Sequence, residues 1–389
     1  MTSADDLPNP ALLPAGLVDL LPPEAEREAA LVEAMMEAFA GHGYERVKPP
    51  LIEFEDGLLA GSGAAVAEQT FRLMDPVSQR MMGLRADTTP QVARIAATRL
   101  GGQARPLRLC YAGQVLRVRG TQLAPSRQLA QAGVELIGGE APEADAEVAL
   151  VAVEALERVG IPGPSLDVTL PTMAPALLEA AAVGPALRGR LARALDRKDA
   201  AAVAALSAEA GPMLAAALPA LLEAAGPAEG ALAALAAAAL PPAARAIADN
   251  AAAVVGAVRA RAPSLRITLD PVEFRGLRYH VGVAFTLFGP DGSGELARGG
   301  RYASLNDEPA TGMTLYPDAV LRAAPAPAPR PRVFVPLHGG PGGSLAARSL
   351  RAQGFATVAA LAAGDTPARL RCTHILRDGR AVPLQAEEG

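Results

Sequence analysis

Arg117, Arg119, Arg127, Gln131 and Glu135 fall two or four residues apart in two runs of alternating character, Leu107 to Arg119 and Arg127 to Ile137. Side chains alternate across a strand. Val115, Arg117 and Arg119 therefore share one face of the first run, and Arg127, Gln131 and Glu135 one face of the second. Charged and amide groups so arrayed can bind a small polar ligand, or can simply meet water, because antiparallel sheets commonly wet one side. Two more polar residues, Asp87 and Thr89, stand in LRADTTP ahead of a helix with Pro90 at its first position. Thr89 is the natural N-cap there, and a carboxylate at Asp87 favours the helix N-terminus. Each of these residues thus has a structural role available, and chemistry requires that neighbouring elements turn the charged face into a pocket.

The elements that would do so can be read in order. GTQLAPS between the two runs is rich in turn residues and predicts a hairpin with a long loop. Upstream, Pro22-Pro23, an acidic start and Leu31, Met35 and Phe39 at helical spacing predict a helix stopped by Gly41 and Gly43, then a strand from Tyr44 to Val47. Phe71 to Met74 and Arg80 to Leu84 read as a short hairpin. Residues 140 to 160 form a helix with an acidic start, followed by a strand from Leu166 to Leu170. Roughly 173 to 262 is an alanine-rich array of short helices punctuated by Gly184-Pro185, Gly211-Pro212, Gly226-Pro227 and Pro241-Pro242. Strands then follow from Leu265 to Leu269 and from Tyr279 to Phe288, with a GPDGSG turn before Glu295 to Arg298 and the Gly299-Gly300-Arg301-Tyr302 run. Two glycines there permit close backbone approach. AAPAPAPRP, 323 to 331, is a semi-rigid linker, and the tail from 332 to 389 reads as strand, helix, strand and a final strand or hairpin.

Composition bounds what this chain can do. At 389 residues and 50% hydrophobic, with a mean hydropathy of +0.21, it is globular and long enough for two or three domains. A net charge of −5 argues against general nucleic-acid affinity. Lys48 and Lys198 are the only lysines, so arginine is simply the default cation and no isolated Arg is evidence of a site. On that ground Arg188, Arg190, Arg193 and Arg197 are expected on a solvated helix face. Cys110 and Cys372 lack metal-site spacing and suit a reducing compartment. MTSADDLPNP has neither a basic nor an apolar leader region, and the apolar stretch 213 to 240 is broken by Pro219, Gly226, Pro227 and Gly230. No membrane span, metal or cofactor is expected, and the location expected is cytoplasmic.

LRADTTPQVAR, RPLRLCYAGQVLRVR and RQLAQAGVELIGG together resemble the histidyl-tRNA synthetase core, including motif 2 of class II synthetases, and the first helix and strand resemble motif 1. The resemblance covers about 320 residues. It implies an α+β fold: a class II aminoacyl-tRNA synthetase-like antiparallel sheet flanked by helices over 1 to 322, the helical alanine-rich insertion within it, and a small C-terminal α/β remnant. It also implies a dimer, and roles in holding the amino acid for Asp87, Thr89, Gln131 and Glu135. Carboxylates and an amide carbonyl suit an α-ammonium and an imidazole N–H, each such bond being worth roughly 1.5–3 kcal/mol. EFRGLRYHVG is similar to the synthetase's RGLxYY element, with Arg275 and Tyr279 in place and His280 at the second aromatic. Core packing for Tyr279 and a satisfied strand role for His280 stay open beside the functional reading.

RYHVG and GGRYASL look more like the synthetase paralogue that serves as regulatory subunit of ATP phosphoribosyltransferase. Two departures agree. Arg117 matches the motif 2 arginine, but Arg119 stands where a glutamate is expected, placing like charges on one strand face. In TGMTLYPDAVLRA, Ala319 stands where motif 3 has its ATP-binding arginine, to within one residue. Such groups are typically worth about 10²–10³ each in rate. The expected function is therefore that of a non-catalytic subunit in the first step of histidine biosynthesis, partnering a short catalytic subunit, with L-histidine as effector and no tRNA binding. The expected histidine-binding set is Asp87, Thr89, Arg117, Gln131, Glu135, Arg275, Tyr279 and His280. The alternatives are an active minimal histidyl-tRNA synthetase and a free-standing histidine sensor. His338 and His374 belong to no motif.

Overall fold

The computed structural model describes residues 12–120, 125–273, 279–337 and 340–384. Two compact units divide the chain, Met1–Pro325 and Ala326–Gly389. The first is built on a nine-stranded sheet. In spatial order its strands are Glu45–Arg46, Leu107–Leu116, Gln128–Ile137, Pro309–Leu315, Glu295–Ala303, His280–Phe288, Ser165–Thr169, Arg266–Asp270 and Gly226–Pro227. The middle six pair antiparallel, and parallel pairs lie toward both edges. Mixed helices and sheet in this class II synthetase-like arrangement match the expected α+β fold.

One face of the sheet is closed by helices whose apolar stripes the sequence spacing announces. Glu24–Gly41 buries Met35, Met36, Ala38 and Phe39, and Gly43 after it takes a positive φ of 80°. Pro142–Arg158 starts on a proline with Glu143 and Asp145 in its first turn, and ten of its residues are buried. The helices pack on Cys110, Ala132, Val134, Leu136, Phe285 and Met313 in the largest core cluster. On the other face the helix Thr89–Thr98 covers only one end, packing Val92 and Ala96 against Leu109, Tyr111, Ile137 and Tyr302. The uncovered part of that face is where a ligand can approach.

The alanine-rich segment is helical from Met173 to Arg261, but it is not an appendage. Its last helix, Pro242–Arg261, runs 20 residues, and its buried side chains join the main core. Gly226-Pro227 forms a short edge strand beside Arg266–Asp270 instead of a simple break. Pro219 and Gly230 do not break helices as the sequence suggested; they lie inside Pro212–Glu223 and Ala228–Ala237. An interior proline costs a helix about 3 kcal/mol, and burial of Leu214, Ala217, Leu218 and Leu221 offsets it. Among the described residues no helix is long and apolar enough to cross a membrane. Arg188, Arg190, Arg193 and Arg197 are exposed.

The first unit runs to Pro325, three residues beyond 322, because the helix Pro317–Ala323 continues the core and Ala324 is buried in it. The second unit has a four-stranded sheet, with Arg332–Val335 between Ala356–Ala359 and His374–Arg377 as parallel neighbours and Arg380–Pro383 closing a hairpin. One helix, Gly340–Ala352, belongs to it. His374 accepts or donates at Nδ1 to the Thr373 hydroxyl at 2.8 Å, whereas His338 lies outside the described residues.

Candidate functional site

Strand register assembles the site. Residues directly paired across strands project from the same face, so the pairings define rows across the floor of the open face. Leu107, Ile137, Ala310, Tyr302 and His280 make one row, and Leu109, Glu135, Gly312, Gly300 and Ala284 the next. Tyr111, Gly133, Thr314, Arg298 and Thr286 make a third. Glu135 thus stands beside two glycines and between a row with two aromatic rings and a row with an arginine. The glycines are required. A Cβ on Gly312 would coincide with the Glu135 carboxylate, and Gly300, at φ +148°, has Val283 O and the His280 ring within 2.7 Å of where its Cβ would lie. This is the close approach expected of the GG pair.

Glu135 is buried, as is Gln131, so the polar face of this strand is not solvated. The Thr89 hydroxyl donates to Glu135 Oε1 at 2.8 Å and the Tyr302 hydroxyl to Oε2 at 2.8 Å. Burial pushes the carboxyl pKa up to about 8; the two hydroxyl donors act against that and the nearby Asp87 charge adds to it. Tyr111 links the ensemble, with its hydroxyl 2.8 Å from Thr314 Oγ1 and 3.3 Å from Thr89 Oγ1.

The loop before the helix supplies the roof, with a one-residue change from the expected cap. Thr88, not Thr89, occupies the N-cap position, and Thr89 is the first helical residue. Asp87 Oδ1 accepts the Thr89 N–H at 3.0 Å, doing the work a capping side chain would do and leaving the Thr89 hydroxyl free to reach Glu135. Thr88 donates both its N–H (3.1 Å) and its hydroxyl (2.9 Å) to Gln131 Oε1. Gln131 therefore ties the helix to the hairpin through the very oxygen that the resemblance assigned to the ligand. Arg85 anchors the same loop by donating to Gln114 O at 2.7 Å and Pro49 O at 3.2 Å.

A cavity of about 10 Å³, room for a single water molecule, lies between Thr89, Glu135, Tyr279, His280, Arg298 and Tyr302, floored by Gly299, Gly300 and Gly312. Ligand pockets usually run to roughly 300–1,000 Å³, so an occupant must displace wall groups. Tyr279 is the candidate: it is 37% exposed, hence not core packing, and its ring lies 4.0 Å from that of His280 and 6.4 Å from that of Tyr302. His280 is buried beneath it. A larger cleft lined by His42, Glu147, Glu154 and Arg261 sits beside the helix Pro142–Arg158, on the other face. Glu154 and Glu147 are already held by His42 and Arg108, and the sequence points to no chemistry there.

Of the eight expected residues, Thr89, Glu135, Tyr279 and His280 line the cavity, and Asp87 acts on Glu135 and Tyr279 by its charge. Gln131 is one row removed. Arg117 lies just past the strand end, half-buried, and does not line the cavity; its charge acts on Tyr316. Arg275 lies outside the described residues. Arg119 is exposed and beyond the strand, so it does not share a strand face with Arg117 as the alternation suggested. Ala319 is buried in the helical core, and neither neighbour within one residue is an arginine. Tyr302, Tyr111, Thr314 and Arg298 were missed; they repeat every second residue in their strands, but only the register shows which repeat faces the site. Among the described residues no group of three or more His, Cys, Asp or Glu side chains could hold a metal ion.

This floor of antiparallel strands with a buried carboxylate at its centre defines a class II synthetase-like core of the histidyl-tRNA synthetase type. The family model described as "Histidyl-tRNA synthetase" matches residues 16–320. A crystal structure from Bacillus halodurans, described as an ATP phosphoribosyltransferase regulatory subunit/histidyl-tRNA synthetase, superposes with a TM-score of 0.80 over 94% of this chain and 96% of that one. At 24% identity that likeness is one of fold, as is that to the Nostoc histidyl-tRNA synthetase (TM-score 0.76, 17% identity, 92% of this chain and 88% of that one). Sequence relatives are much nearer. The ATP phosphoribosyltransferase regulatory subunit of Paramagnetospirillum magneticum is 56% identical over 91% of each chain, and that of Rhodospirillum centenum 53% identical over 99% of each. The chain belongs to the family of ATP phosphoribosyltransferase regulatory subunits.

Proposed function

We propose that this chain is a non-catalytic subunit that activates a short catalytic ATP phosphoribosyltransferase subunit and makes it sensitive to L-histidine, in the first step of histidine biosynthesis. The observation that carries the reading is the asymmetry of the synthetase-like site. The amino-acid half is assembled around Glu135, with a buried acceptor, two hydroxyls and two aromatic rings. On the nucleotide side, Ala319 replaces an arginine inside the core, Arg119 replaces a glutamate, and the Tyr316 ring sits under the charges of Glu295, Arg298, Asp87 and Arg117. The glutamate of motif 2 and the arginine of motif 3 are both missing from that set, which supports the loss of adenylate formation. Location in the cytoplasm and a class II-like dimer belong to the same reading. For the dimer, Leu51, Ile52 and Phe54 are exposed apolar side chains in the segment that follows the first helix and strand.

Histidine regulates only if it binds one state of the assembly better than another, a coupling of about 1–3 kcal/mol being typical. The test is co-expression with the short catalytic subunit of the same organism. Co-purification, activation, and inhibition by histidine that Glu135→Ala weakens are expected, with no histidine-dependent ATP–pyrophosphate exchange by the purified chain. A catalytic subunit that neither binds nor gains activity ends the regulatory reading, and clear exchange activity restores the synthetase one.

A further inference from the structure

The cavity over Gly300 and Gly312 has a buried acceptor on one side and, on the other, a cation to which the proposed function gives no part in holding the amino acid. Arg298 projects from the same sheet face as Glu135, two strands away and one row along, and is the only arginine or lysine among the described residues lining the cavity. Two strand spacings of about 4.8 Å put the two backbones roughly 10 Å apart across the sheet. Both side chains border one small space, so a ligand that reaches both must displace the wall groups between them. Arg298 Nη2 donates to Glu295 at 2.6 Å, whereas its Nε is buried without a hydrogen-bond partner. A buried donor left unpaired is costly, and a guanidinium edge matches a carboxylate in geometry as well as charge. Glu295 holds the head group while leaving that donor unspent.

We propose that Arg298 is the carboxylate-recognising residue of this pocket, binding the α-carboxylate of the amino acid whose side-chain N–H is met by Glu135. The proposal rests on the amino-acid reading of the site, and adds to it an end-to-end orientation: carboxylate toward the strand Glu295–Ala303, side chain toward the strand Gln128–Ile137. It also gives a specificity, excluding ligands that carry the ring and the amine but no anion.

The experiment is calorimetry on the full chain at about pH 6.5, below the α-amino range, with L-histidine and L-histidinamide as the two probes. The wild type is expected to prefer histidine by about 10- to 100-fold, the worth of a charge-assisted bond. Arg298→Gln should keep the histidinamide affinity and lose most of the preference, and Arg298→Lys should retain part of it. Equal weakening toward both probes would mean that Arg298 only supports the wall, and an undiminished preference in Arg298→Gln would mean the carboxylate is held elsewhere; either result overturns the proposal while the histidine reading stands. A wild type that binds neither probe overturns both.

Discussion

At the scale of single residues, Glu135 is the group on which most else depends. It is a carboxyl group in an almost completely dry position, its pKa pushed up to about 8 by burial. A group whose folded pKa is raised contributes stability that is fully present below its unfolded pKa, about 4.5, and that is lost as the pH rises toward 8. Glutamine cannot titrate. Glu135→Gln should therefore match the wild type in Tm near pH 4.5 and exceed it by several degrees at about pH 8.5, because each tenfold change in a proton's binding constant is worth roughly 1.4 kcal/mol. Thermal unfolding across that range reads it directly, and a Tm difference that stays flat with pH would mean that Glu135 is solvated in the free protein. Thr89 shows how close neighbours can exchange roles: two adjacent threonines precede Pro90, and nothing in their spelling says which one caps and which one reaches the carboxylate.

Elements add what residues lack, namely the joining of segments distant in sequence. Gln131 is the joint between the hairpin and the helix Thr89–Thr98, since one side-chain oxygen accepts both donors of Thr88. Gln131→Ala would leave a backbone N–H and a hydroxyl buried without partners, a cost of roughly 1–3 kcal/mol each. We expect a clear fall in global stability and faster amide exchange over residues 85–98, measured by hydrogen exchange with mass readout; unchanged exchange there would show that the helix is held by Arg85 alone. The hairpin itself was legible, read as Leu107 to Arg119 and Arg127 to Ile137 against strands of Leu107–Leu116 and Gln128–Ile137, because strict alternation has one structural meaning. The course of the insertion was not. Its glycines and prolines are strong local signals, but burial of Leu214, Leu218 and Leu221 overrode Pro219, and an edge-strand pairing consumed Gly226-Pro227.

For the whole molecule the question is assembly. The three-stranded sheet of Ile52–Phe54, Met81–Leu84 and Arg72–Met74 stands outside the large one and leaves Ile52 and Phe54 exposed on one face, Met74 and Met81 on the other. A dimer that covers the face of Ile52 and Phe54 should dissociate in Phe54→Asp. The substitution falls on a 37% exposed side chain whose ring meets only the Arg80 guanidinium among the described cations, at 3.9 Å, so stability should change by no more than about 1 kcal/mol. Light scattering over a dilution series would show the mass halved; an unchanged mass would place the dimer contact elsewhere.

The sequence by itself determined the fold class, the hairpin, the helices that close one face and the candidacy of Thr89, Glu135, Tyr279 and His280. These follow from periodicity, from turn residues and from motif spellings, all of which are local in the chain. What only the tertiary structure decided is which polar groups meet. Register across five strands put Gly312 and Gly300 beside Glu135, brought Tyr302 and Arg298 to the same cavity, gave the Gln131 oxygen to Thr88, and left Arg117 outside. A shift of one residue in any of those pairings would invert the face that each side chain occupies, and pairing between strands as far apart as residues 135 and 312 is a property of the packed chain that no local pattern contains.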